Sequence, residues 1–316
     1  MEKQVILGFD IGGTKCAVIT ALWDGENIEL LKKEKCATDT TIAPEKMIEK
    51  LIEMADGILE EKPTAIGISC GGPLDPEKGI VMSPPNLPGW DDVHITEQLE
   101  AHFGVPAKLQ NDANACAVAE WKFGAGRGSK NMVFMTFGTG LGAGLILDGK
   151  LYSGTNDNAG ETGHIRLAKN GPMGFGKYGS FEGFCSGGGI ARLAEEMAKR
   201  CKKVPACIEK MGGMSAITTK KLAEAAFAGD VFAKRVFAKS GQMLGRGLSI
   251  LIDLLNPEKI VLGGVFMRSH ALLVPAMKKE IAKEALGISA EVCEIVPAQL
   301  SENIGDIAAL AIAKGV

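Results

Sequence analysis

Two periods of apolar residues alternate along the first third of the chain. "QVILGFD" (4–10) and "CAVITAL" (16–22) are apolar runs of strand length, with "DGEN" (24–27) as a turn before a third strand, "IELLKKEKCAT". Residues 44–62 open with Pro44 and carry Met47, Leu51, Met54 and Ile58 near helical spacing, which predicts a helix. "TAIGISC" (64–70) is a strand that runs into Gly71-Gly72-Pro73, and a Pro-rich loop, "SPPNLPGWDD", follows. A helix near 95–103, a strand "PAKLQ" and a helix beginning at "NDANACAVAEWKFG" complete this part.

The second part repeats the alternation. Strands are expected at "NMVFMTFG" (131–138), "GAGLILDG" (142–149), "KIVLGG" (259–264) and "AEVCEIV" (290–296), and helices near 189–202, 217–228, 231–255, 271–285 and from 304. "FDIGGTKCAVIT" (9–20) and "FGTGLGAGLILD" (137–148) share one pattern of strand, small-residue turn with threonine, and strand. One copy in each half suggests a duplicated α/β domain.

Composition narrows the function classes. The 316 residues are 46% hydrophobic and 23% charged, as in an ordinary globular enzyme, and only 5% aromatic, so the core is aliphatic. A net charge of −3 supplies no global field for nucleic acid. Eight scattered cysteines without a C-x-x-C suit reduced thiols in a cytoplasm. The sequence predicts no signal peptide and no membrane span, and so a cytoplasmic protein.

Four stretches carry candidate chemistry. In "GFDIGGTK" (8–15), Gly12, Gly13 and Thr14 offer backbone N–H groups and a hydroxyl to phosphate, and Lys15 adds a positive charge. Asp10 would repel a bare anion but suits the magnesium ion that accompanies a nucleotide; a plain tight hairpin is the other reading. In "LQNDANACAVAE" (109–120), Asp112 at a strand end suits a general base, while Asn and Asp before an alanine-rich helix also make good caps. Glu161, His164 and Glu182 suit a polyhydroxyl ligand, against surface acids and one structural histidine. Gly263-Gly264, ending an apolar strand, let a flat ring approach the backbone or form an ordinary turn.

Taken in order, "DIGGTK", "GGPLD", "NLPGW", "NDANA", "GTGLGAG", "GETGH", "SFEGFCSG" and "NPEKIVLGG" resemble the ROK family (repressor, open reading frame, kinase) of the actin-like, hexokinase-fold ATPases, across nearly the whole chain. The resemblance implies an α/β fold of two actin-like (ribonuclease H-like) domains, with mixed β-sheets flanked by helices and an active site in the interdomain cleft. The expected divisions are 1–115 and 116–300, with 301–316 packing back onto the first. Asp10 to Lys15 resemble the first phosphate loop, Gly138, Thr139 and Gly140 the second, and Gly263 and Gly264 the adenosine contact. Asp112 is similar to the catalytic base, and Gly72, Asn111, Glu161, His164 and Glu182 match sugar-binding positions.

The implied activity is transfer of the γ-phosphate of Mg-ATP to a sugar hydroxyl. The "GGPLD…NLPGW" segment looks most like glucokinases; N-acetylmannosamine or N-acetylglucosamine, fructose or allose kinases, or a non-catalytic sugar sensor, are the alternatives. ATP and a small sugar are the expected partners, with no nucleic acid or membrane, in a homodimer or homotetramer. A repressor of this family carries a helix-turn-helix ahead of the first phosphate loop, and with nine residues before Asp10 none is expected here. In one place the pattern breaks. Family members usually hold a structural zinc with the Gly-His histidine and cysteines of C-x-C-G-x-x-G-C-x-E. Here "MGFGKYGSFE" (173–182) puts Met173, Phe175 and Ser180 at the ligand positions, so no zinc is expected. Met173, Phe175, Phe181 and Phe184 are expected to form an apolar cluster instead, with one His164 ring nitrogen hydrogen-bonded to protein.

Overall fold

The computed structural model describes residues 3–315. Its first part runs β1 (Gln4–Ile11), β2 (Lys15–Trp23), β3 (Ile28–Ala37), α1 (Pro44–Ile58), β4 (Ile66–Cys70), the short strands β5 (Leu74–Asp75), β6 (Ile80–Val81) and β7 (Val93–His94), α2 (Ile95–Phe103), β8 (Ala107–Asn111) and α3 (Asp112–Phe123). The chain continues through β9 (Met132–Met135), β10 (Ala143–Leu147), β11 (Lys150–Tyr152), β12 (Met173–Gly174), β13 (Lys177–Tyr178), α4 (Phe181–Cys185), α5 (Gly187–Lys199), α6 (Ala206–Met211), α7 (Thr219–Phe227) and α8 (Val231–Leu255). It closes with β14 (Lys259–Leu262), α9 (Val265–Glu284), α10 (Gly287–Val292), β15 (Glu294–Pro297) and α11 (Ile304–Ala313). This is an α/β protein with two five-stranded mixed sheets flanked by helices.

By contacts the chain divides into two compact units. One comprises 1–128, 144–159 and 299–316; the other comprises 129–143 and 160–298. In the first unit the sheet order is β3-β2-β1-β4-β8, with β1 antiparallel to β2 and parallel to β4, and β4 parallel to β8. Alternation along β1 sends Leu7, Phe9 and Ile11 into a core shared with Met47, Leu51 of α1 and Leu99, Phe103 of α2. Ile6 goes to the opposite face, toward Leu310 and Ala313 of α11. That second face is tight: a Cβ on Gly67 would stand 1.9 Å from the Ala309 carbonyl oxygen. Glycine there lets α11 lie directly on the strands. Asp10 shares the parity of Ile6 and Gly8, so it emerges on the α11 side.

In the second unit β14 runs parallel to both β9 and β15. The long helix α8 packs along α9 and also meets α4, α5 and α7. Two sequence expectations shift. The strand expected over 290–296 begins only at Glu294, because Ala290, Glu291 and Val292 lie in α10. The helix expected near 271–285 starts at Val265 and runs through Pro275. Among the described residues no helix is long and apolar enough to cross a membrane.

Candidate active site

In the first unit the register alone gathers the candidates. Ile11 pairs with Cys70 and Cys70 with Asn111, so β1, β4 and β8 end level with one another. The turn after β1, the Gly71-Gly72 turn after β4 and the start of α3 after β8 therefore lie at one end of the sheet. The β1–β2 turn is closed by the Gly12 amide donating to the Lys15 carbonyl at 3.1 Å, and the Thr38 hydroxyl donates to the Gly12 carbonyl at 2.6 Å. Gly13 lies against Asn86, whose carbonyl oxygen would be 2.4 Å from an added Cβ, and Gly71 faces the Asn86 amide. Asn86 belongs to "NLPGW"; its motif was visible in sequence, but its contact with the first turn was not.

The cap of α3 is made by Asn111, whose side-chain oxygen accepts from the amides of Ala113 (3.0 Å) and Asn114 (3.4 Å). Asn111 Nδ2 lies beside Gly72, 3.1 Å from where a Cβ would stand. Asn111 is thus the N-cap and Asp112 the first residue of α3. Asp112 also accepts from the Ala113 amide at 2.7 Å.

Asp10 has two neighbours that sequence reasoning did not find. Its Oδ2 would lie 2.8 Å from a Cβ on Gly305, so the carboxylate sits against the first turn of α11. The next residue, Asp306, is 3% exposed and pairs with Lys33 of β3. Burial, then Asp306, then Asp112 push the Asp10 carboxyl up from 3.8 to about 6, and Lys33 and Lys35 oppose them. A crowded, partly buried carboxylate gains from an added cation. Among the described residues no group of three or more His, Cys, Asp or Glu is arranged to hold a metal. Magnesium requires no such cage, since it binds through one or two carboxylates together with phosphates and water. Asp10 fits that ion.

The second unit gathers the remaining candidates. The Gly138 amide donates to the Gly140 carbonyl (3.1 Å), and the Gly138 carbonyl accepts from Gly187 at the head of α5 (2.8 Å). Thr139 is exposed on this turn. Gly264 has φ 59° and would place a Cβ 2.1 Å from the Phe137 carbonyl oxygen, so only glycine suits it. Gly263 precedes it at the end of β14, its amide donating to Met135. Glu182 reaches the same turn: its Oε2 accepts from the Leu141 amide at 3.2 Å and lies 2.9 Å from a Cβ position on Gly140. Glu161 begins the short 3-10 turn Thr162–His164 that carries His164.

The expected apolar cluster forms only in part. Phe181 and Phe184 are buried, as the first and fourth residues of α4, whereas Met173 is 41% and Phe175 64% exposed on the β12–β13 hairpin. The described contact of the His164 ring is edge to face with Phe175, centroids 5.0 Å apart, in place of the expected hydrogen bond to protein.

The ROK family model matches residues 6–316. A glucokinase of Thermotoga maritima is 33% identical over 320 residues, covering 99% of this chain and 98% of the relative. The crystal structure of a ROK family glucokinase from Streptomyces griseus in complex with glucose and AMPPNP superposes with TM-score 0.79 at 29% identity, covering 99% of this chain and 100% of that one. A ROK family transcriptional regulator, a homologue of the Escherichia coli MLC protein, superposes with TM-score 0.85 at 25% identity over 98% of this chain and 77% of its own. Motifs, fold and coverage together make this chain a member of the ROK family, similar to glucokinases of that family.

Proposed function

We propose that the chain is an ATP-dependent hexose kinase, with glucose as its acceptor. The observation that carries this reading is the level ending of β1, β4 and β8, which gathers the Asp10–Lys15 turn, Gly72, Asn111 and Asp112. In this reading Asp112 accepts the proton of the attacking sugar hydroxyl. Gly72 and Asn111, with Glu161, His164 and Glu182, hold the other hydroxyls through directional hydrogen bonds. The amide of Gly13, the hydroxyl of Thr14 and the ammonium of Lys15 hold phosphate oxygens, as do the turn amides of Thr139 and Gly140, while the amides of Gly12 and Gly138 close the two turns; Gly263 and Gly264 face the adenosine. Magnesium held by Asp10 with the nucleotide would neutralise phosphate charge. Orientation of the two substrates supplies much of the rate in such transfers.

A second reading has support from the similarity to a transcriptional regulator: sugar binding without phosphoryl transfer. A coupled assay of ADP release separates the two, run over glucose, fructose, allose, mannose and the N-acetylhexosamines. Magnesium-dependent turnover highest with glucose is expected. Turnover highest with another sugar would move the substrate assignment, and sugar binding by calorimetry with no turnover on any of them would establish the sensor.

A further inference from the structure

The zinc usual in this family does not fit this chain. A phenyl ring offers no ligand, a thioether is a poor one for zinc, and the third position, Ser180, spends its hydroxyl internally. That hydroxyl donates to the Gly174 carbonyl at 3.3 Å and accepts from the Gly183 amide at 3.1 Å, fully buried at the head of α4. Yet the loop carrying His164 is held in a defined place. The Phe181 amide donates to the Ile165 carbonyl (2.8 Å), and the Leu167 and Ala168 amides share the Gly179 carbonyl (2.9 and 3.1 Å). These bonds anchor the segment after His164. The residue itself is gripped by the hairpin: Lys177 Nζ donates to the His164 carbonyl at 2.7 Å, and the Phe175 ring meets the imidazole at an interplanar angle of 71°.

Phe175 is an improbable residue for its position on local grounds. Its φ of 43° lies in the left-handed region that L-residues avoid; Gly176, which follows it at φ 73°, occupies the same region without the penalty that Phe175 bears. It is also a large apolar ring, 64% exposed, in a chain with few aromatics. Neither hairpin geometry nor core packing asks for phenylalanine here. The contact this position secures is with His164, and edge-to-face geometry restrains the plane of the imidazole.

We propose that the β12–β13 hairpin does without metal what the zinc does in other members: Phe175 sets the ring plane of His164 and Lys177 fixes its backbone. Both are positioning residues, and their effect on turnover rests on reading His164 as a sugar contact. A loosened imidazole weakens one of several sugar contacts and leaves the nucleotide alone. Phe175→Leu, which keeps apolar bulk but loses the ring, should raise the sugar KM about tenfold, or about 1.4 kcal/mol. The ATP KM should stay within about twofold. Lys177→Met should act in the same direction. Phe175→Tyr and Lys177→Arg, which keep the ring and the donor, should remain close to wild type.

A readout independent of activity is the imidazole proton spectrum of the full-length protein. The chain has four histidines, and the His164 signals are assigned from their loss in His164→Gln. Phe175→Leu should move the His164 ring protons by removing the Phe175 ring current, and leave the other three histidines in place. Unmoved His164 signals, equal changes in both KM values, or stoichiometric zinc whose chelation shifts the His164 signals would each overturn the proposal. If the wild-type protein phosphorylates no sugar, the kinase reading fails by that assay alone. The spectrum and the metal content then still decide whether the hairpin holds His164.

Discussion

Asp10 is costly to the folded protein, and replacing it should show the cost. Its carboxyl is held at about 6 by burial and by Asp306 and Asp112, against 3.8 for an ordinary aspartate. Below pH 3.8 it is protonated in both the folded and unfolded states and contributes nothing. Between 3.8 and 6 the unfolded chain releases its proton first, so folded stability falls as pH rises. Above 6 the full cost is in force, about 3 kcal/mol from the separation of the two values. Asp10→Asn keeps the shape and removes the charge. It should stabilise the ligand-free protein by up to about 3 kcal/mol at pH 7.5 and by little near pH 4. Urea unfolding followed by the fluorescence of the three tryptophans measures this; with a slope of about 3 kcal/mol per molar for a chain of this size, the midpoint should rise by up to about 1 M. The same variant should lose the extra stabilisation that Mg-ATP gives the wild type, because a ligand stabilises only the state that binds it. An Asn variant no more stable than wild type at pH 7.5, or equally stabilised at both pH values, would refute the reasoning.

Three further outcomes are expected. Asp112→Asn should cut turnover by roughly 10²- to 10⁴-fold at nearly unchanged sugar affinity; near-normal kcat in the coupled assay would return Asp112 to a structural role. Glu120 is fully buried and accepts from the amides of Ala125 (2.8 Å), Gln299 (3.2 Å) and Leu300 (2.8 Å). Glu120→Ala strands three donors at about 1–3 kcal/mol each, so denaturant unfolding should show a loss above about 3 kcal/mol; a loss below about 1 would mean that other groups take over. Gly264→Ala should cost more than about 2 kcal/mol, from its positive φ and the Phe137 carbonyl in its path, and should raise the ATP KM. Gly263→Ala, whose Cβ would meet the edge of Phe134 at 3.3 Å and the Met135 carbonyl oxygen at 3.6 Å, is the milder control, and equal effects at the two positions would contradict this account.

What was legible in the sequence is what neighbours along the chain decide. The apolar run of β1, Pro44 at the head of α1 and the 25-residue periodicity of α8 each state their element locally. The motif series carried the family, because each motif is a short stretch whose chemistry is complete within itself. Tertiary structure decided what depends on a distant partner. The run around 290–296 is compatible with helix or strand, and it becomes strand only where Glu294 to Pro297 pair with β14. Four apolar residues between 173 and 184 look equally fit for a core, but the backbone of α4 turns Phe181 and Phe184 inward while the hairpin leaves Met173 and Phe175 outside. The ion pair of Lys33 with Asp306 joins residues 273 apart, and the pair stands beside Asp10 only because α11 lies on the strand face that Gly8 and Gly67 keep clear. Local chemistry names the residues that can act; the charge around them depends on groups that only folding brings near.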